Sequence, residues 1–295
     1  MVLVPLIAGM LACTQVDLFA TGVSDHEVAN YYRVSTTDAS VELIVRNPDF
    51  EASYEIALGP DGHHYAVGAY ALGLNIVDPT TGWANSLQCL CAQIFATGAL
   101  TVAPDGWAYI GMVGWIDNIV RYDTNNGGYL DEFGFGEDHP VYALQWRDDA
   151  KLIGASGSPA VIIEVNLPFG SYTEIGTLDP AIGQVVSFAR DPVTGTTFML
   201  AENDLDVESL YEIDPYTLET AYIGDLPDEL AIRGIAGIPI CPADFNADGK
   251  ADILDFVTYQ QAFQAGDMSA DFNGDLVLNV LDFVAFQQLF VIGCD

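Results

Sequence analysis

Turn-forming clusters recur along this chain at Asp38, at Asp78-Pro79-Thr80-Thr81-Gly82, at Asp123-Thr124-Asn125-Asn126-Gly127, at Asn166-Leu167-Pro168 and at Asp214-Pro215-Tyr216-Thr217, spaced by 40, 45, 43 and 48 residues. Between them lie short alternating or β-branched runs with no sustained helical period, so the region 17–240 reads as all β. Four of these runs resemble one another: YEIALGPDG from Tyr54, ALTVAPDG from Ala99, VYALQWRDD from Val141 and QVVSFARD from Gln184. A period in the forties with about four strands per unit predicts a β-propeller, because each blade needs its neighbours to bury its faces. A β-sandwich would leave the period unexplained.

Five turns imply five blades, yet the first unit lacks the opening strand that the other four carry. Leu230–Ile240, reading LAIRGIAGIPI, looks like those opening strands and has no blade after it. It is expected to complete the first blade, tying together residues far apart in sequence and removing a sheet edge. The Pro-Asp-Gly and Asp-Pro-x-Thr-Gly sequences are turn chemistry, since Pro presets φ and Gly tolerates positive φ.

The chain has 295 residues, 51% of them hydrophobic, which is enough for a large folded core. Eight Lys and Arg stand against 42 Asp and Glu, a formal net charge of −34 that repels nucleic acid and anionic membrane surfaces and favours bound cations. Residues 1–13 are almost entirely apolar, too few to span a bilayer, and suit the hydrophobic stretch of a secretory signal. An extracellular or cell-surface location is the expectation. With Cys13 set aside in that segment, four cysteines remain. In an exported chain an even number suggests disulfides. A bridge between Cys241 and Cys294 would close a 54-residue loop, worth about 4 kcal/mol in the chain-entropy model. Cys89 and Cys91 lack the further ligands a metal site would need and read as structural thiols.

Residues 241–295 carry a second pattern. Asp244 to Asp255 and, 27 residues on, Asp271 to Asp282 place oxygen side chains at loop positions 1, 3, 5, 9 and 12. That spacing, with a backbone carbonyl from position 7, wraps one Ca²⁺. After each loop, Phe256, Tyr259 and Phe263, and likewise Phe283, Phe286 and Phe290, fall at helical spacing and are expected to pack between the two halves. Eleven of the 20 aligned positions are identical.

This duplicated loop and helix, with Asp at position 12, a Cys-Pro-Ala-Asp-Phe-Asn opening and a Gly293-Cys294 ending, resembles the dockerin family, in particular the variety ending in Gly-Cys. The resemblance implies a small EF-hand-like helical calcium module docking onto a cohesin-like partner. It implies calcium ligands Asp244, Asn246, Asp248, Asp252 and Asp255 with the Lys250 carbonyl, then Asp271, Asn273, Asp275, Asn279 and Asp282 with the Val277 carbonyl. It also places partner contacts at Ile253, Leu254, Gln260 and Gln261, mirrored by Val280, Leu281, Gln287 and Gln288, so that docking in either of two orientations is open. The competing reading makes Ile253 and Val280 core residues. Leu276 stands at position 6 of the second loop, where a sharp turn favours Gly, and that loop carries three carboxylates against four. The first site is therefore expected to bind Ca²⁺ more tightly.

Arg190-Asp191-Pro192 resembles the Arg-Asp-Pro motif of five-bladed glycosidases that cut fructans and arabinans. That family's Asn-Asp-Pro and Glu-Cys segments have no counterpart, and Asp191–Gly195 also fits a strand turn. His26, His63, His64 and His139 show no metal spacing, and no Gly-x-Ser-x-Gly or phosphate loop occurs. Trp83, Trp107, Trp115 and Trp146 suit packing between blades or stacking on sugars. The expectation is an exported, non-catalytic propeller attached through its tail to a cohesin-like partner or cell-surface assembly linked to polysaccharide breakdown, with a glycan or protein ligand open for the propeller. The alternatives are a glycoside hydrolase carrying the same tail and a propeller whose calcium module is purely structural.

Overall fold

The computed structural model describes residues 17–23, 28–51, 53–68, 73–78, 84–89, 97–112, 118–124, 128–134, 140–167, 171–192, 194–203, 205, 207–238, 243–245, 251–266, 270, 272 and 277–292. The apolar segment 1–13, Cys91, Cys241, Cys294, Asn246, Asp248, Lys250, Asp271, Asn273, Asp275 and Leu276 lie outside them. One compact unit spans Asp17–Ile240 and a second contains Cys241–Cys294.

The first unit is a five-bladed β-propeller. The chain forms β1 (Asp17–Val23), β2 (Val28–Ser35) and β3 (Val41–Glu51), then β4 (Ser53–Leu58), β5 (His64–Gly68), β6 (Gly73–Val77) and β7 (Ala84–Cys89). It continues with β8 (Thr97–Val102), β9 (Trp107–Met112), β10 (Asn118–Asp123) and β11 (Tyr129–Gly134), followed by β12 (Ala143–Trp146), β13 (Leu152–Ser156), β14 (Val161–Asn166) and β15 (Ser171–Thr177). The last blade is β16 (Gln184–Arg190), β17 (Thr197–Glu202), β18 (Glu208–Ile213) and β19 (Thr220–Asp225), and β20 (Ile232–Gly237) comes after it. Four blades take their strands consecutively, whereas the first has the order β20-β1-β2-β3. The late strand thus pairs antiparallel with β1, Leu18 facing Gly237 and Ala20 facing Ile235. Strands β20, β4, β8, β12 and β16 are neighbours in turn around a closed ring.

The cores sit between blades, which is why the repeat must close. Tyr65, Val67 and Leu74 of the second blade pack with Leu100, Ile110 and Val120 of the third. Ile119 and Phe133 of the third meet Leu144, Leu152 and Ile163 of the fourth, and Ile162 and Leu178 of the fourth meet Phe188 and Met199 of the fifth. Tyr31 and Ala236 join the first blade to Ile56 and Val77 of the second. Each fully buried aliphatic side chain of this kind contributes about 1.5–3 kcal/mol. Burial falls outward: all five residues of β13 are buried, while outer strands β15 and β19 contain none.

The turns after β4, β8 and β12 repeat one geometry, and the turn after β16 is one residue longer. Gly62, Gly106 and Gly195 have φ of 80°, 83° and 75°, and Ala150 takes the corresponding place at 60°. Asp61 and Asp105 fold back to accept from the backbone N–H two residues on, at His63 and Trp107. These aspartates shape turns.

The second unit contains helices α1 (Ile253–Ala265) and α2 (Val280–Ile292). Asp252 caps α1: its Oδ1 accepts from Leu254 N at 2.7 Å, and Asp255 Oδ2 accepts from Asp252 N at 2.7 Å, a reciprocal capping box. Asn279 and Asp282 repeat it at α2, accepting from Leu281 N at 2.8 Å and Asn279 N at 2.7 Å. Tyr259 and Phe286 stack with ring centroids 4.0 Å apart and planes 7° from parallel, and Phe256 meets Phe283 edge-on. Both central rings are fully buried, and the Tyr259 hydroxyl donates to Ala270 O, burial pushing its pKa up to about 12.

Candidate functional site

In the helical unit, four of the described ligand candidates, Asp252, Asp255, Asn279 and Asp282, lie at the helix starts. Asp255 and Asp282 are fully buried, although they are carboxylates in the first turn of a short helix. Beyond its cap contact, Asp282 accepts from Phe272 N with Oδ1 at 3.1 Å, and the Val277 carbonyl accepts from Asn279 Nδ2 at 2.8 Å. An all-oxygen set with buried carboxylates at the last loop position suits a hard cation such as Ca²⁺. Among the described residues no group of three or more His, Cys, Asp or Glu is close enough to hold a metal, and half of the twelve ligand candidates lie outside that set.

The residues just inside each cap face solvent. Ile253 and Leu254 are 66% and 56% exposed, and Val280 and Leu281 are 66% and 59% exposed. Neither Ile253 nor Val280 is core. Gln261, Gln287 and Gln288 are exposed and Gln260 is half-buried.

In the propeller, the site comes from a repeated irregularity near the start of the innermost strands. In β4 the register shifts between Ser53 and Glu55, in β8 between Thr97 and Ala99, in β16 between Val185 and Ser187, and in β20 between the partners of Thr21 and Gly22. Each shift leaves one residue unopposed: Tyr54, Gly98, Val186 and Arg233. Tyr142 takes the same place before β12, its N–H donating to Ala155 O. Positions 54, 98, 142 and 186 are 44 residues apart, and Arg233 follows after 47. Bulges of this kind re-aim side chains. Gly98, Tyr142, Val186 and Arg233 line one cavity of about 170 Å³ at the entry end of the axis.

The residues one step further along are Glu55, Ala99, Ala143, Ser187 and Gly234. Four are small and one is a carboxylic acid. Glu55 is 3% exposed; its Oε2 accepts from Ser187 Oγ at 3.1 Å and from Ile56 N at 3.3 Å, while Oε1 has no hydrogen-bond partner among the described residues. Burial pushes its pKa well above the ordinary carboxylate range. Gln184 and Glu202 complete the wall. Arg233 Nη1 sits 2.8 Å from Glu202 Oε2 and 3.4 Å from Glu208 Oε1. Glu208 is itself buried, which raises its pKa against the pull of Arg233.

The other end of the axis holds a cavity of about 310 Å³ lined by Leu58, Val102, Trp146 and Arg190 at the strand ends and by turn residues such as Pro60 and Pro104. Its charges are already engaged. Arg147 donates to both oxygens of Asp149 at 2.8 Å and to Glu164 at 2.9 Å and lies over the Tyr216 ring, while Arg190 pairs with Asp148. Trp146 stacks on Tyr109 of the neighbouring blade at 5.4 Å, and Trp107 lies beneath Arg121. The Arg190-Asp191-Pro192 sequence is a turn here: Asp191 is buried and its Oδ2 accepts from the N–H and hydroxyl of Thr194. It stands at the opposite end of β16 from the Glu55 cavity.

Sequence reasoning passed over Glu55. Aligning the four opening strands sets Glu55 against Ala99, Ala143 and Ser187, and a lone charged residue in that column was the available signal.

No protein family matches the sequence, and no curated protein does. Solved structures do. A chain of a nidogen/laminin complex aligns at 10% identity and a TM-score of 0.48, over 75% of this chain and 84% of that one. TolB from Acinetobacter baumannii aligns at 13% identity and 0.46, over 70% and 52%. A protein of unknown function from Bacteroides caccae aligns at 12% identity and 0.44, over 76% and 99%.

Proposed function

We propose that this protein is an exported, non-catalytic five-bladed propeller held to a cohesin-like partner or cell-surface assembly by a calcium-dependent, dockerin-like tail, in a setting of polysaccharide breakdown. One observation carries the reading: each of two corresponding helices, identical at seven of 13 positions, presents an exposed apolar pair, Ile253-Leu254 and Val280-Leu281, within a capping box whose fourth residue is a buried aspartate. Large aliphatic side chains left in water on both halves, at matching positions, suit a docking surface with two equivalent faces. Asp244, Asn246, Asp248, Asp252 and Asp255, with their counterparts Asp271, Asn273, Asp275, Asn279 and Asp282, would hold two Ca²⁺ ions together with the Lys250 and Val277 carbonyls. Bound calcium would offset the repulsion among these clustered carboxylates and so make the folding of the tail depend on metal.

A glycosidase reading requires two available carboxyls flanking a scissile bond. Beside the entry cavity Glu202 and Glu208 share Arg233, and Glu55 pairs with neither. That arrangement favours holding a ligand over cleaving a glycan. The test is capture of extracellular proteins from the native source by the full chain, in calcium and in chelator, alongside a variant carrying Asp at positions 253, 254, 280 and 281. A partner retained only in calcium and only by the unaltered chain supports the reading. A partner held equally in chelator, or none with calcium bound, leaves the tail a structural calcium module.

A further inference from the structure

We propose that the entry cavity of the propeller axis binds a small organic cation through a primary ammonium group seated on Glu55. The chain invests a distinct construction there. Register shifts in four of the five innermost strands turn Gly98, Val186 and Arg233 into the cavity wall. At the next position of the five innermost strands stand four small residues and a single buried carboxyl, Glu55, with Ser187 bonded to it. Glu55 has one oxygen satisfied by Ser187 Oγ and Ile56 N and the other with no hydrogen-bond partner among the described residues. A buried acceptor left unpaired is destabilising, so its persistence in a built cavity points to a group supplied from outside.

Charge decides what that group is. Arg233, the one cation among the described residues of the wall, already serves two carboxylates, Glu202 at 2.8 Å and Glu208 at 3.4 Å, and makes no ion pair with Glu55. The cluster therefore holds three acids against one base, on a chain of net charge −34 that draws cations in, and a cation seated on Glu55 would favour its ionised form over the protonated one that burial favours. A divalent metal does not fit, because no three acidic, His or Cys side chains among the described residues converge closely enough. An ammonium needs fewer anchors: its N–H groups can reach Glu55 Oε1 and the side-chain oxygens of Gln184 and Tyr142, which line the same cavity. A volume of about 170 Å³ admits a short aliphatic amine and excludes a polymer chain.

The experiment is calorimetric titration of the full chain, in calcium, with two isosteric pairs: ethanolamine against ethylene glycol, and 1,4-diaminobutane against 1,4-butanediol. Saturable binding of at least one amine, with its matching diol bound at least tenfold more weakly, is expected. Glu55→Gln, which keeps the shape and an acceptor for Ser187, is expected to weaken amine binding at least tenfold while leaving calcium binding unchanged. Absence of amine binding to the wild type, equal binding of amine and diol, or unchanged amine affinity in a folded Glu55→Gln chain would overturn the proposal. The wild-type comparison stands even if that variant does not fold.

Discussion

His64 Nε2 lies 2.9 Å from the carbonyl oxygen of Gly237, 173 residues away in sequence. A carbonyl can only accept, so the ring nitrogen carries the proton. The bond ties β5 of the second blade to the strand that closes the first, and the ring packs edge-on against Phe19 of β1 at 4.8 Å. One buried imidazole thus pins the place where the two ends of the propeller meet.

Burial lowers the His64 pKa to about 4 from 6.5, outweighing the hydrogen bond to Gly237. The unfolded chain therefore takes up a proton as pH falls below 6.5 while the folded chain does not until about 4. Stability from this group is full above the upper value and is lost on acidification through that window, by about 3 kcal/mol at most. Unfolding by urea at pH 7 and pH 4 is expected to give a smaller stability difference for His64→Gln than for the wild type.

Glu55 has the opposite sign. Its folded pKa lies above the unfolded one, so the folded state holds the proton longer and stability declines as pH rises from the unfolded value towards the folded one. Glu55→Gln removes that decline. The variant is expected to unfold at higher denaturant than the wild type at pH 8 and to differ little at pH 4, in the absence of amines. Equal shifts at both pH values would remove the desolvated carboxyl from the account.

Much of this was readable from residues alone. Five turns and four matching opening strands gave the blade number, and the orphan LAIRGIAGIPI segment gave the closure now seen as β20 pairing with β1. Aromatic spacing gave the facing rings of Tyr259 and Phe286. The cavity wall of Gly98, Tyr142, Val186 and Arg233 was not readable, because a one-residue register shift leaves no mark in residue type. Glu55 was legible only with the opening strands set side by side, where it is the one charged residue in its column; read alone, one Glu in an alternating strand looks like an ordinary solvent-facing residue. The exposure of Ile253 and Val280 also needed coordinates, as apolar residues in a first turn fit a core equally well.

The two apolar pairs of the tail make a prediction that separates one docking face from two. Changing Ile253 and Leu254 to Asp, or Val280 and Leu281 to Asp, is expected to leave partner capture within a few-fold of wild type, measured by surface-immobilised binding. Changing all four is expected to reduce it more than a hundredfold, equivalent to about 3 kcal/mol. Complete loss from one pair alone would mean a single face.

Calcium titration of the full chain by calorimetry bears most directly on the central claim. Two Ca²⁺ ions per chain are expected, with Asp255→Ala abolishing the tighter and Asp282→Ala the weaker. Uptake of no calcium would contradict the docking account, and loss of the tighter site with Asp282→Ala would reverse the assigned order of the two loops.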